Sequence, residues 1–155
     1  MQDVQHKLLV EERYNQVMNE DNRPKVGVAA MIKHNGCVLL GLRAGKRANG
    51  KWGFPGGHVE FAEHPIDAIV RETKEETNLD VIISDNWDLG WASNVFENSH
   101  YITLYIGCEL TNQCWSTDVV RMEPDKFSEW KWFDINELPD NLMFDNMYEL
   151  IRSNK

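Results

Sequence analysis

Cysteine is scarce in this 155-residue sequence, and the three copies are far apart. Cys37, Cys108 and Cys114 form no close pair of the kind that a zinc site or a disulfide framework uses. The sequence also lacks any run near the roughly 20 apolar residues that a membrane-spanning helix needs. Its first residues, MQDVQHKLLVEERYNQ, are too polar and too acidic for a secretory or transit signal. We therefore expect reduced thiols, no membrane partner and a cytoplasmic location.

Positive charge is also in short supply. Lys and Arg total 16 against 25 Asp and Glu, which gives a formal net charge of −9. Such a chain repels a phosphate backbone, so nucleic acid is not an expected partner. It would repel a free nucleotide as well, unless bound cations reverse the local field. The net charge of −9 is equally explained if the acidic residues only keep the protein soluble. The positions of the carboxylates must decide between this interpretation and a cation-binding site.

The hydrophobic content of 42% suits one compact domain. Apolar residues near helical spacing predict a leading helix over residues 4–18, and Pro24 separates this helix from the first predicted strand. We therefore divide the chain into an N-terminal helical extension, residues 1–22, and one domain, residues 23–155. The leading helix either supports a homodimer or only caps the domain.

Hydrophobic periodicity predicts alternating strands and helices in this domain. His34-Asn35-Gly36 is typical of a hairpin turn, and Asn78 can take the left-handed conformation that closes a helix. The class is mixed α/β, with the sheet between helices. The predicted strands are Val26–Ile32, Cys37–Gly41, Val81–Ser84, Trp91–Phe96, Tyr101–Leu110 and Glu129–Asp134, and the predicted helices are Pro65–Thr77 and Asn141–Arg152.

Three carboxylates occupy one side of the helix predicted at 65–77. Glu72, Glu75 and Glu76 fall within an arc roughly 100° wide, so their charges repel one another. A divalent cation relieves that repulsion in a partly buried cleft, and all-oxygen ligation suits Mg²⁺ or Mn²⁺. A solvated helix face, screened by Arg71 and Lys74, explains the same residues equally simply.

The surrounding sequence favours the metal site. From Gly57 the chain reads GHVEFAEHPIDAIVRETKEETNL, which closely resembles the Nudix box, G-x5-E-x7-R-E-U-x-E-E-x-G-U with U a bulky aliphatic residue. Thr73 replaces one aliphatic residue of the pattern and Asn78 replaces its second glycine, and neither is an expected metal ligand. The fixed positions fall on Gly57, Glu63, Arg71, Glu72, Glu75 and Glu76.

The resemblance covers about residues 24–140 and is strongest to MutT-like nucleoside triphosphate diphosphatases. The segments VGVAAMI, LLGLR, WGFPGGHVEF and EWKWFDINELP carry it outside the box. It implies the Nudix fold, a small nucleotide as the partner, and hydrolysis of a nucleoside triphosphate, with a normal or an oxidised base, to a monophosphate and pyrophosphate. Two alternatives stay open: hydrolysis of a sugar nucleotide or dinucleotide, and a Nudix-fold binding module without catalysis.

The same resemblance assigns expected roles near the metal. In the family, box glutamates hold divalent cations that bridge the diphosphate and activate a water molecule. Glu72 and Glu76 are therefore the expected ligands of Mg²⁺, which Mn²⁺ could replace, and Glu75 binds directly or through water. Glu72 is also the expected general base, and Arg71 orients the carboxylates or forms only a surface ion pair. Three further groups complete the set: a backbone carbonyl of Gly56 or Gly57 and the carboxylate of Glu60 as ligands, and the carboxylate of Glu63 as a helix cap or a catalytic support.

The residues expected to bind the substrate are fewer. Arg43 is a candidate phosphate clamp, and Gly56 and Gly57 permit close backbone approach to phosphate. Thr103 and Phe144 lie where related enzymes contact the base, although Phe144 also suits a plain core position. Lys46 and Arg47 are expected to be mobile and solvated. Trp52, Trp87, Trp91, Trp130 and Trp132 are predicted to pack in the core, and Trp115 to lie in a loop.

Overall fold

The computed structural model describes residues 4–10, 23–96, 99–112 and 115–154. Residues 4–10 are helical (α1), and a short 3-10 helix spans Ser116–Asp118. The strands are β1 (Lys25–His34), β2 (Cys37–Arg43), β3 (Trp52–Gly53), β4 (Gly56–His58), β5 (Val81–Phe96), β6 (Ser99–Leu110) and β7 (Phe127–Asp134), and the remaining helices are α2 (Pro65–Thr77) and α3 (Asn146–Ser153).

The seven strands form one mixed sheet. Its main path runs β3-β2-β1-β6-β5, while β4 pairs with β1 and β7 pairs with β2. β1 and β6 are parallel, and the other pairs are antiparallel. The central position of β1 places its residues against β2, β4 and β6 at once, so this strand organises the domain.

Alternation along β1 divides the core into two layers. Val28, Ala30 and Ile32 face a cluster that contains Ile69 of α2. Met31 faces the opposite side, in a cluster that contains Met147 of α3. Successive side chains of a strand point to opposite faces, so both faces of the sheet are covered. The predicted architecture, a mixed sheet between helices, is confirmed.

Helix α2 begins and ends as its sequence predicts. The His64 side chain accepts a hydrogen bond from the backbone N–H of Ile66, and Pro65 occupies the first turn. At the other end Asn78 has φ 62°, and its N–H bonds to the carbonyl of Lys74. Ile69 and Thr73 are fully buried on the face that meets the sheet. Of the two departures from the box pattern, Asn78 fits the cap, whereas Thr73 lies in the core with a hydroxyl that has no hydrogen-bond partner among the described residues.

Two predicted boundaries are wrong. The strands predicted separately at Val81–Ser84 and Trp91–Phe96 are parts of one strand, β5. Its pairing with β6 shifts register between Ile83 and Asp88 and again between Asp88 and Trp91. The last helix begins at Asn146, five residues later than predicted, because Leu142 pairs with Trp52 of β3. Of the predicted leading helix, residues 4–10 are helical and the rest lies outside the described residues.

The burial of each tryptophan depends on where its strand lies in the sheet. Trp52, Trp130 and Trp132 pack against the two clusters, as predicted. The packing prediction is wrong for Trp87 and Trp91, which are 43% and 67% exposed on β5. β5 ends the described strand order, so its side chains have a neighbouring strand on one side only. Trp115 is 73% exposed beside the short 3-10 helix, as expected for a loop residue.

Two of the three cysteines lie within the described residues. Cys37 is half-buried and Cys108 is buried, and both are free thiols. Burial raises the pKa of Cys108 to about 12, so this thiol is unreactive. Cys114 lies outside the described residues. No helix in the part of the chain that the structure describes is long and apolar enough to cross a membrane.

Candidate active site

A pair of glycines brings the backbone of β4 against the acidic face of α2. Gly57 pairs with Val28 and Gly56 with Ala29 on β1. A Cβ on Gly56 would overlap the carbonyl of Val28, and a Cβ on Gly57 would overlap the carboxylate of Glu72. The backbone N–H of Gly56 donates to Oε2 of Glu76 at 2.9 Å. Only residues without a side chain allow β1, β4 and the helix to approach this closely.

We call the place where Gly56 and Gly57 meet Glu72 and Glu76 the acidic corner. Arg71 connects four groups around it. Its Nε and Nη2 donate to the two oxygens of Glu63 at 2.7 and 2.9 Å, a bidentate pair. Its Nη1 donates to Glu72 at 3.0 Å and to Glu75 at 3.1 Å. Nη2 also donates to the carbonyl of His58 at 3.1 Å. Arg71 therefore orients several carboxylates at once, which is more than a surface ion pair would do.

Glu63 holds Arg71 and does not cap the helix. Its carboxylate accepts two bonds from Arg71 and one from the backbone N–H of Glu60, which lower its pKa to about 2. The cap is supplied by His64, next to it in the chain. Of the two roles left open for Glu63, the geometry favours support of the site. Glu60 lies at the edge of the same group, 4.0 Å from Arg71, with a side chain that is 70% exposed.

Two of the three glutamates on α2 are buried. Glu76 is 1% exposed and Glu72 is 7% exposed, whereas the side chain of Glu75 is half-exposed. The pKa of Glu76 is raised to about 8, mainly by burial; the hydrogen bond from Gly56 opposes this rise, and the negative charges of Glu72 and Glu123 contribute to it. Burial also raises the pKa of Glu72, against the effect of Arg71. Because the ionised forms of these buried carboxylates are unfavourable on their own, a nearby positive charge would stabilise them.

Two charged residues of the site, Glu123 and Lys126, are absent from the set predicted from the sequence. Both lie in the loop before β7, where Lys126 Nζ is 3.0 Å from Glu123 Oε1. The N–H of Met122 donates to the carbonyl of Glu76, so the loop is attached to the helix that carries the box. The charges of both residues act on Glu76. No spacing in the sequence could have revealed them, because the contact is made only by tertiary folding.

The donor set fits a hard divalent cation. The available ligands are carboxylate and backbone carbonyl oxygens, which Mg²⁺ and Mn²⁺ prefer. Within the described ranges, no three His, Cys, Asp or Glu side chains converge as a metal site would require. One nitrogen of Arg71, Nη1, donates to both Glu72 and Glu75. Glu72 and Glu76, with the carbonyls beside them at Gly56 and Gly57, are the groups that could hold the ion.

A cavity of about 170 Å³ lies on the α3 face of the sheet, beside this corner. It contains all five residues predicted to bind substrate: Arg43, Gly56, Gly57, Thr103 and Phe144. The apolar residues Phe54, Met143 and Met147 are part of its lining. Tyr101 and His58 also line the cavity, and their rings stack with centroids 5.5 Å apart. The cavity therefore joins an apolar compartment to the glycine pair.

Two arginines line the same cavity. The guanidinium of Arg43 lies 4.9 Å from the centre of the Phe127 ring, and burial lowers its pKa. Its buried Nε finds no acceptor among the described residues, which leaves a donor for an anion. Arg47 is exposed, as expected for a solvated residue, and it donates to the hydroxyls of Tyr101 and Ser99. Lys46 is exposed, as predicted.

Comparison with known proteins agrees with this geometry. The family model for the NUDIX domain matches residues 21–153. The low-salt glycan biosynthesis protein Agl8 of Haloferax volcanii is 40% identical over 78 residues, which are 50% of this chain and 49% of that protein. An RNA pyrophosphohydrolase of Bartonella quintana is 30% identical over 139 residues, 74% of this chain and 77% of its own length. An ADP-ribose pyrophosphatase of Methanocaldococcus jannaschii is 30% identical over 126 residues, 79% and 69% of the two chains.

The fold has a solved counterpart. The crystal structure of a MutT NUDIX hydrolase from Burkholderia pseudomallei superposes with a TM-score of 0.73 at 24% identity, over 86% of this chain and 99% of that one. The family model matches most of the chain. The structure of this chain agrees with that match, because its sheet has helices on both faces and α2 packs against Gly56 and Gly57. This chain belongs to the Nudix hydrolase family, enzymes that act on phosphorus-containing anhydrides.

Proposed function

We propose that this enzyme hydrolyses a nucleoside triphosphate to a nucleoside monophosphate and pyrophosphate, with Mg²⁺ as its cofactor. The observation that carries the proposal is the position of the cavity, which runs from an apolar compartment to Gly56 and Gly57. Those glycines contact the buried carboxylates of Glu76 and Glu72. A nucleotide with its base in the apolar compartment would thus place its phosphates at the acidic corner.

The size of the cavity favours a single nucleotide. Its volume of about 170 Å³ is below the roughly 300–1,000 Å³ of pockets that enclose drug-sized ligands. One base fits such a space, and the second half of a dinucleotide or sugar nucleotide would have to lie outside it. In this arrangement Phe144 packs against the base and Thr103 offers it a hydroxyl, while the free Nε–H of Arg43 donates to a phosphate oxygen.

The chain's own carboxylates divide the catalytic work. Glu72 and Glu76, with Glu75, Glu60 and a carbonyl of Gly56 or Gly57, would hold the cation. Once bound, that cation would neutralise charge on the diphosphate and make water a better nucleophile. Glu72 Oε1 accepts from Arg71, which leaves Oε2 to take the proton from the attacking water. Burial raises the pKa of Glu72, which makes it a stronger base than an exposed carboxylate.

A substrate panel tests this proposal. We expect Mg²⁺-dependent release of pyrophosphate from at least one nucleoside triphosphate, with turnover abolished by EDTA and restored by Mg²⁺ or Mn²⁺. The panel should include triphosphates with normal and oxidised bases, the matching diphosphates, and products identified by ion-exchange chromatography. If no triphosphate is hydrolysed, the proposed substrate class is wrong.

The names of two relatives add arms to the panel. One is an RNA pyrophosphohydrolase and the other an ADP-ribose pyrophosphatase, and the chain covers about two thirds or more of each. ADP-ribose and a 5′-triphosphate RNA therefore belong beside the free nucleotides. A kcat/KM for either of them above that for every nucleoside triphosphate would favour an alternative diphosphate substrate at the same site.

Arg71 offers a prediction that separates orientation from charge. We expect Arg71→Lys to lower kcat by about 10- to 100-fold, the usual cost of losing a partner that orients metal ligands. Lysine keeps the charge but cannot bond to Glu63, Glu72, Glu75 and the carbonyl of His58 together. Steady-state kinetics at saturating Mg²⁺ measure the loss. Arg152→Lys on α3, where the arginine lies over the Tyr148 ring, is the matched control and should keep wild-type kcat.

A further inference from the structure

The loop before β7, which is bonded to the end of α2, holds a lysine paired with Glu123. Lys126 Nζ contacts both oxygens of Glu123, at 3.0 and 3.1 Å, and its side chain is half-exposed. The loop is bonded on two sides. The N–H groups of Val120 and Met122 donate to the carbonyls of Thr77 and Glu76 at the end of α2, and the carbonyl of Lys126 accepts from Ala44, the residue after Arg43. These backbone bonds attach the loop to the end of α2 that carries Glu76, and the ion pair with Glu123 holds the ammonium on that loop.

The cations of this corner are not equivalent. Arg71 is engaged by Glu63, Glu72 and Glu75, and Arg43 lies over the Phe127 ring. Lys126 has only Glu123 as a direct carboxylate partner among the described residues. Partial burial alone would lower the pKa of Lys126, but the hydrogen bond and charge of Glu123 and the charges of Glu76 and Glu72 outweigh it and raise the pKa. Its charge therefore acts on the carboxylates expected to hold the metal.

We infer that Lys126 is a positioning residue that weakens the affinity of the acidic cluster for a divalent cation, by placing a fixed positive charge in the space that the cation must approach. The inference rests on the metal site of the proposed function. An ammonium that is paired with Glu123, and whose charge also acts on Glu72 and Glu76, competes with the ion, so binding is weaker than the carboxylates alone would give. Such an enzyme would take up its metal readily together with a nucleotide, whose phosphates add negative charge.

The test measures metal binding without any nucleotide. Binding of Mn²⁺ to wild-type protein, Lys126→Met and Glu123→Gln is measured by electron paramagnetic resonance of the free ion. We expect Lys126→Met to bind Mn²⁺ about three- to tenfold more tightly, the effect of removing one charge several ångströms from a divalent ion in a partly solvated site. Glu123→Gln should bind it about threefold more weakly, because a nearby negative charge is removed.

The opposite signs distinguish this role from a purely structural ion pair. If Lys126 and Glu123 only held the loop together, removing either partner would disturb the site in the same direction. Lys131→Met is the matched control, because it removes a lysine that lies over the Phe133 ring and it should leave the Mn²⁺ affinity unchanged. If Lys126→Met does not fold, Lys126→Gln is a second variant that also removes the positive charge.

Two outcomes separate the inference from the proposed function. If Glu76→Gln loses Mn²⁺ binding while both Lys126 variants bind as tightly as wild type or more weakly, the metal site stands and the role of Lys126 is wrong. If Glu76→Gln binds Mn²⁺ as wild type does, the assignment of the metal site itself fails, whatever the lysine variants show.

Discussion

Glu72→Gln is expected to lower kcat for nucleotide hydrolysis by about 10³-fold or more, with the fold intact. The amide cannot accept the proton of the attacking water and is a weaker ligand for a hard cation, so two contributions are lost together. The structure gives no reason for unfolding. Glutamine keeps an oxygen that can accept the hydrogen bond from Arg71, and Glu72 is 7% exposed, where a neutral group is less costly than a carboxylate.

The measurement combines pyrophosphate release at saturating Mg²⁺ with a thermal unfolding curve. The unfolding midpoint should equal or exceed that of wild type in EDTA. Glu149→Gln is the matched control, since Glu149 is exposed on α3, and it should keep both values. A Glu72→Gln enzyme that turned over at a wild-type rate would refute the role assigned to this residue and would leave Glu76 or Glu123 as the base to examine.

The acidic corner could be foreseen largely because its residues share one helix. Glu72, Glu75 and Glu76 are close in sequence, and the cap that fixes the helix is encoded beside them, with Pro65 at the start and Asn78 at the end. The sequence leaves the role of Arg71 open because its contact with Glu63 spans eight residues and passes around the start of the helix. The loop conformation determines which carboxylate Arg71 holds most firmly. Local periodicity in the sequence does not predict that conformation.

Glu123 and Lys126 could not be foreseen, for a related reason. They reach the site through backbone bonds between their loop and α2, from Met122 to Glu76 and from Val120 to Thr77, across more than 40 residues. Sequence patterns describe which face of an element is apolar, and they do not say which distant loop lies on its polar end. Local patterns therefore do not predict the charge that completes the site.

The errors in the fold have the same origin. The sequence from Asp85 to Gly90 breaks the strand alternation, and that break predicts two strands. The chain instead continues through two register shifts, with Gly90 at φ 90°, because β6 offers pairing along the whole length. At the end of the chain, Leu142 is taken by a bridge to Trp52, and this tertiary contact delays the start of α3.

Gly56→Ala and Gly57→Ala are expected to fail in different ways, although the two residues are adjacent. A methyl group on Gly56 would overlap the carbonyl of Val28 and approach the Cα of Ala29, both of them backbone atoms of the central strand. A methyl group on Gly57 would overlap only the carboxylate of Glu72, the far end of a flexible side chain. The first clash can be relieved only by moving β4 away from β1, and the second by moving one carboxylate.

Gly56→Ala should therefore lose stability. Displacing a strand that is paired with the core costs about 2 kcal/mol or more, which for a domain of this size lowers the unfolding midpoint by about 4–8 °C. Gly57→Ala should unfold within about 2 °C of wild type, since its strain is relieved in a side chain. Its kcat should fall by about 10²-fold, because a catalytic group displaced by about 1 Å loses that much.

Unfolding curves and pyrophosphate release on the same preparations separate the two effects. Gly50→Ala is a useful contrast, because Gly50 has φ 74° with no neighbouring atom within 4 Å of the added methyl group, so only backbone strain changes there. If Gly57→Ala retained full activity, the carboxylate of Glu72 could not need the position it occupies against this glycine. The acidic corner would then have to work with Glu72 elsewhere, and the proposed division of labour among the carboxylates would be wrong.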